Sequence, residues 1–60
     1  MLTTKVTYAL SFWIRDWIKT YKRNPSNEEC YKYVVWKIGS NYKLSENDKI
    51  KIDAILIYNL

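Results

Sequence analysis

The sequence predicts an all-α protein, a compact three-helix bundle that forms a single small domain over residues 1–60. Three observations carry this prediction. Two stretches that are typical of helix ends divide the chain, and a helix-capping sequence follows each of them. Apolar side chains recur at helical spacing in each of the three segments. We expect helices over about residues 4–23, 26–38 and 45–59, and we expect the bundle to self-associate.

The first helix carries an apolar stripe that is typical of a core-facing side. At about 100° per residue, seven side chains fall on it: Val6, Ala9, Leu10, Trp13, Ile14, Trp17 and Tyr21. We interpret Trp13 and Trp17 as core-packing residues. The helix ends at Arg23-Asn24-Pro25, because proline disfavours a helical conformation in the residue before it.

Two capping boxes predict where the other helices begin. In Ser26-Asn27-Glu28-Glu29 the serine caps the helix and the glutamate at the third helical position returns a bond to the serine backbone. Gly39 suits the left-handed residue that commonly follows a helix. Ser45-Glu46-Asn47-Asp48 repeats the box with aspartate, which predicts the start of the third helix.

A mixed α+β fold is the alternative. Alternating apolar residues are typical of strands, and they occur in two stretches: Val6, Tyr8, Leu10 and Phe12, and then Ile50, Ile52 and Ala54. The capping sequences, the length of each segment and the single glycine favour the helical interpretation.

The chain is small and carries a heavy apolar load. A 60-residue chain buries only about 60% of the surface that its unfolded form exposes. Cys30 is the only cysteine and there is no histidine, so an internal disulfide or a zinc site is not expected. We expect no cofactor, and we interpret Cys30 as a small buried hydrophobe. Because 48% of residues are hydrophobic and 17% aromatic, we expect a homo-oligomer or docking on a partner.

Charge and composition indicate a compartment and a class of partner. A lone cysteine fits a reducing compartment, and Arg15 and Asp16 keep every apolar run below the ~20 residues of a membrane span. We therefore expect a cytoplasmic protein that does not enter a membrane. The net charge of +4 favours an acidic protein surface or nucleic acid. Lys, Asn, Ile and Tyr, whose codons are AT-rich, are typical of an AT-rich bacterial, viral or plasmid gene.

Aromatic and basic residues also lie away from the predicted core. On the first helix they recur at spacings of four, three, four and three, and on the second helix Trp36 follows Lys32 by one turn. Trp, Tyr and Arg dominate the energy of many binding surfaces. We expect seven partner-contacting residues: Tyr8, Phe12, Arg15, Lys19, Lys22, Lys32 and Trp36. The alternative is that the cations only complement the helix dipole and that another helix covers the rings.

The third helix is apolar on two sides. Ile52, Ile55 and Leu56 share one side, whereas Ile50, Ala54 and Ile57 share the other. Two neighbouring helices in so short a chain can scarcely cover both sides. We therefore expect self-association through Ile50, Ala54 and Ile57.

Catalysis is poorly supported by the composition. The commonest general acid–base, histidine, is missing, and Cys30 has no histidine to activate it. We expect a non-enzymatic small binding protein, a regulator or inhibitor of viral or plasmid origin that docks on a larger protein and acts on a host process. The alternative is a nucleic-acid-binding protein, since basic and aromatic residues interleave at Tyr21-Lys22-Arg23 and Tyr31-Lys32-Tyr33.

Overall fold

The computed structural model describes residues 2–60 and contains three α-helices: α1 (Thr4–Tyr21), α2 (Asn27–Ile38) and α3 (Glu46–Tyr58). Each helix packs against the other two, and the Cα radius of gyration is 10.7 Å. No strand occurs in this range, so the all-α three-helix prediction is confirmed and the α+β alternative is not observed. None of the helices in residues 2–60 is long and apolar enough to cross a membrane.

Side-chain caps start all three helices. Thr3 Oγ1 accepts a first-turn N–H of α1 at 3.2 Å. Both predicted capping boxes form: Ser26 Oγ accepts from the Glu29 N–H at 3.1 Å while Glu29 Oε1 accepts from the Ser26 N–H at 2.7 Å. Ser45 and Asp48 exchange the same two bonds at 3.1 and 3.2 Å. These bonds satisfy backbone donors that a helix start leaves unpaired.

The end of α1 differs from its predicted position at residue 23. The helix ends at Tyr21, and Lys22 adopts the left-handed conformation with φ of 60° and ψ of 28° while its N–H donates to the Ile18 carbonyl. Pro25 disfavours a helical conformation in the residue before it, so that the chain leaves the helix ahead of Pro25. Lys22 therefore does not continue the helical spacing that ends at Lys19.

Gly39 ends α2, but not in the left-handed helical conformation that we expected. Its N–H donates to the Val35 carbonyl at 2.8 Å, and its φ of 152° and ψ of 140° place it in an extended, positive-φ conformation. Glycine adopts this region without steric cost. A turn at Ser40 and Asn41 follows, in which the Tyr42 N–H donates to the Gly39 carbonyl at 2.9 Å.

The core consists of one pair of side chains from each helix, spaced four residues apart. Residues at this spacing lie on the same side of a helix. The six buried residues of the helices are Leu10, Ile14, Cys30, Val34, Ile52 and Leu56. Burial raises the pKa of Cys30 to about 11, so the thiol stays protonated at neutral pH and packs as an apolar group.

The core arrangement predicts opposite outcomes for two substitutions in α1. Ile14 is fully buried, whereas Phe12 is 66% exposed. Ile14→Ala should lower the free energy of unfolding by about 2–5 kcal/mol, which is comparable with the total stability of a domain this small. Phe12→Ala should change it by about 0.5 kcal/mol or less.

Urea unfolding followed by circular dichroism measures both changes. Equal losses in the two variants would show that Phe12 is packed and that the placement of the core side of α1 is wrong.

Candidate binding surfaces

Five aromatic rings form a continuous row across α1 and α2, here called the aromatic row: Tyr21, Trp17, Trp13, Tyr33 and Trp36. Successive ring centroids lie 4.4, 5.3, 4.7 and 5.9 Å apart. Within the row, α1 meets α2 at Trp13 and Tyr33, whose ring planes are stacked at an angle of 15°. Such ring pairs stabilise a fold beyond the area that they bury.

The spacing of the rings in the sequence explains the row. Trp13, Trp17 and Tyr21 recur every four residues and therefore lie above one another along α1. Trp36 follows Tyr33 by three residues on α2, so that these two rings are also neighbours. The row thus follows α1 and crosses to α2 at Trp13.

The burial of the row agrees with one expectation and corrects another. Trp13 packs against the buried core and, like Trp17, is half-buried, whereas Tyr21, which we placed on the core stripe, is 56% exposed. Leu10 and Ile14 occupy the fully buried positions of α1 instead. The large rings therefore pack along the edge of the core.

Three shallow grooves follow the row. The first groove, of about 330 Å³, is lined by Tyr31, Lys32, Val35, Trp36 and Ser40. The second, of about 410 Å³, is lined by Trp13, Trp17, Glu29, Lys32, Tyr33 and Trp36. The third is lined by Trp13, Asp16, Trp17, Thr20 and Tyr21. Lys32 and Trp36 line both the first and the second groove and therefore separate them.

Charged groups at the second groove differ in their availability. Glu29 pairs with Arg23 at 3.5 Å and caps α2, and the Ser26 backbone N–H is the main reason why the pKa of Glu29 is lowered. The Arg23 guanidinium also lies 5.0 Å from the Trp17 ring centroid, within cation–π distance. Lys32 forms no ion pair with any side chain of residues 2–60. Lys32 is thus the cation that the grooves present to a ligand.

The first groove contains a tyrosine that is fixed by a polar contact between α2 and α3. Tyr31 Oη donates to Asp53 Oδ1 at 2.6 Å, and Asn27 Nδ2 donates to the same oxygen at 2.6 Å. The bond to Asp53 is the main cause that raises the pKa of Tyr31 to about 12, and the bond from Tyr31 is the main cause that lowers the pKa of Asp53. The Lys49 ammonium lies 5.7 Å from the Tyr31 ring centroid.

The structure places five of the seven predicted contact residues on or next to α1. Four of them form an exposed line, here called the α1 ridge: Tyr8, Phe12, Arg15 and Lys19. Tyr8 and Phe12 are each 66% exposed, so no other described helix covers them. Arg15 has a structural bond as well, since its Nε donates to Asn59 Oδ1 at 3.1 Å. Lys22 follows the helix end.

The other two predicted contacts, Lys32 and Trp36, lie on α2. Both are exposed, and the Trp36 side chain is 71% exposed. None of the α1 ridge residues lines one of the three grooves described above, whereas Lys32 and Trp36 each line two of them. The structure thus divides the predicted contacts between two surfaces.

The three predicted self-association residues form one exposed strip on α3. Ile50 is 62% and Ile57 70% exposed, and Ala54 between them is also exposed. Ile52 and Leu56 on the opposite side are buried. Of the two apolar sides that the sequence of α3 shows, one thus faces the core and the other lies on the surface.

Sequence reasoning did not identify Trp13, Trp17 and Tyr33 as groove residues. The spacing of four that joins Trp13 to Trp17 and Tyr21 was the available signal, but it is the same spacing that a core stripe has. The stacking of Trp13 on Tyr33 depends on how α1 meets α2, which the sequence of either helix alone does not specify.

Comparison of the chain with protein-family models, with curated proteins and with solved structures gives no match. Within residues 2–60, no group of three or more His, Cys, Asp or Glu side chains is placed to hold a metal ion.

The Tyr31–Asp53 bond predicts a pH-dependent difference between the wild type and Tyr31→Phe. At neutral pH the variant should be less stable by about 1 kcal/mol, the usual net contribution of one hydrogen bond. Because the pKa of Asp53 is lowered, this contribution should disappear as the pH falls below the unfolded-state value of about 4. Because the pKa of Tyr31 is raised, it should also disappear as the pH rises from about 10 in the unfolded state towards about 12.

Urea unfolding over a pH series measures this difference. Tyr58→Phe is the matched control, since Tyr58 is 86% exposed. A stability difference for Tyr31→Phe that does not change with pH would contradict the bond between Tyr31 and Asp53.

Proposed function

We propose that this protein is a non-enzymatic binding protein that docks on a larger protein through the first and second grooves. The observation that carries the proposal is the position of Trp36. Its ring is 71% exposed, lines both grooves and rests against Tyr33, which is itself stacked on Trp13. A large exposed ring with rigid support is typical of the residues that dominate protein–protein contacts.

The arrangement of the rings favours a protein partner over nucleic acid. Base stacking requires ring faces that are free to receive a base. Trp13 and Tyr33 use a face on each other, and Trp17 packs between Trp13 and Tyr21. Arg23, a cation beside the row, pairs with Glu29 and lies over Trp17 and is thus already engaged within the chain. Trp13, Trp17 and Tyr33 thus have less free ring face to offer a base than isolated rings would have.

The lining of the grooves supports a partner of particular chemistry. The first groove combines Tyr31, Val35 and Trp36 with the ammonium of Lys32, which also borders the second groove. A partner segment that carries bulky apolar side chains beside a carboxylate matches this lining. Two apolar side chains enter the grooves on either side of Trp36, and the carboxylate meets Lys32. The net charge of +4 supports an acidic partner.

In this proposal the protein regulates its partner by covering the segment to which it binds. A small rigid protein that covers an acidic, apolar segment of a larger protein blocks whatever else binds that segment. The composition, rich in residues with AT-rich codons, supports the narrower proposal that the protein is encoded by a virus or plasmid and regulates or inhibits a host process.

Tryptophan fluorescence tests the proposal, because Trp13, Trp17 and Trp36 are the only tryptophans and all belong to the aromatic row. The probes are synthetic peptides that alternate Glu or Asp with Leu or Phe, and matched peptides with Gln or Asn in place of the acids. We expect the acidic peptides to shift the emission and to bind more tightly than the neutral ones. Salt should reduce this preference.

Variants identify the surface that is used. Trp36→Ala should weaken peptide binding by about 30-fold, the equivalent of a hot-spot residue. Lys32→Gln should abolish the preference for acidic over neutral peptides. The matched control is Phe12→Ala with Lys19→Gln on the α1 ridge, which should bind as the wild type does.

Three results would overturn the proposal. Failure of every acidic peptide to bind would reject the stated partner. Loss of binding only in the ridge variant would move the docking surface to the α1 ridge. Tighter binding of single-stranded oligonucleotides, with an affinity that falls linearly with the logarithm of salt concentration, would favour the nucleic-acid alternative.

A further inference from the structure

The exposed strip on α3 has the spacing of a coiled-coil seam. Asn47, Ile50, Ala54 and Ile57 follow one another at intervals of three, four and three residues, which are the intervals between a and d positions of a heptad. All four residues are exposed, and the core residues Ile52 and Leu56 lie on the other side of the helix. Nothing within residues 2–60 covers this seam.

We propose that two copies of this chain form a parallel dimer in which α3 packs along α3 of the partner copy. The strip suits such contact, because the small Ala54 lies between the larger Ile50 and Ile57 and lets the two backbones approach. Ile50 and Ile57 then occupy d positions, where apolar side chains insert between residues of the facing helix.

Charges beside the seam support a second copy as the occupant and fix its direction. Glu46 and Lys51 occupy the g and e positions on opposite flanks of the seam and are both exposed. The only ion pair formed among residues 2–60 is Arg23–Glu29, so that neither flanking charge is paired within the chain. In a parallel coiled coil, a g residue meets the partner's e residue five positions further on. Glu46 therefore meets the partner's Lys51, and the two-fold axis repeats the pair.

The antiparallel arrangement is disfavoured by the same charges. It brings g positions opposite g positions, and Glu46 would approach the partner's Asp53. Two carboxylates brought next to each other in this way repel one another. The parallel arrangement thus has two attractive pairs where the antiparallel one has repulsion.

The dimer is independent of the docking function proposed above. The grooves are lined by residues of α1, α2 and Ser40, and none of them belongs to α3. The seam and the grooves therefore share no residue, and a failure of either proposal leaves the other standing.

Sedimentation velocity over a concentration series tests the dimer with the full chain. We expect a concentration-dependent species of twice the 7.3 kDa chain mass. Ile50→Gln with Ile57→Gln should abolish it without loss of helicity, since both side chains are exposed. Tyr8→Gln with Phe12→Gln, which removes equally exposed apolar side chains from the α1 ridge, is the matched control and should dimerise normally.

Charge exchange tests the direction of the helices. Glu46→Lys or Lys51→Glu alone should weaken the dimer by about three- to tenfold, whereas the two together should restore it. Asn47→Cys should form a disulfide-linked dimer on oxidation, because an a position faces its own copy in a parallel seam. The wild type is the control, since its single Cys30 is fully buried.

A protein that stays monomeric at every concentration would overturn the proposal. So would a dimer that the isoleucine variant does not affect. A double charge exchange that binds as weakly as the single exchanges, with no disulfide through Asn47→Cys, would overturn the parallel register.

Discussion

The limited size of the core determines most of this structure. Within residues 2–60, six side chains of the helices are fully or nearly fully buried, one pair from each helix at a spacing of four residues, and each pair fixes which side of its helix faces inward. A chain of 60 residues has no room for a second layer. The remaining large apolar side chains therefore reach the surface, and Phe12, Trp36, Ile50 and Ile57 are all more than 60% exposed. The candidate binding surfaces are thus a consequence of the small core.

The aromatic row compensates in part for the small core. Each of its rings packs against at least one other ring, and aromatic pairs contribute about 0.5–1.5 kcal/mol each beyond the area that they bury. The stacked pair of Trp13 and Tyr33 joins α1 to α2 without a disulfide or a metal. Trp36, at the end of the row, contributes least to the core and is the most exposed of the tryptophans. A ring held in place before binding loses little conformational entropy when it binds.

Sequence reasoning succeeded where the physics is local. Ser26 and Ser45 cap their helices because the bonding partners lie three residues away. It failed where distant residues decide: Tyr21 has the spacing of the apolar side of α1, but it is 56% exposed because the core does not extend to it. Likewise, Tyr31 and Asp53 are 22 residues apart, and no local pattern predicts their bond. The starts of α2 and α3 and the two apolar sides of α3 were therefore predictable from the sequence, whereas the grooves were not.

The positions of the two proposed surfaces have a joint consequence. The grooves lie on α1 and α2, whereas the seam lies on α3, so that a dimer presents two copies of the docking surface. If one chain binds a segment weakly, the second chain of the dimer meets a neighbouring segment at a high effective concentration. Such linkage strengthens overall binding by about 10²–10⁴ when both sites can be reached together. Shallow grooves of modest affinity are therefore sufficient for tight binding to a partner that is itself dimeric or repeats the acidic segment.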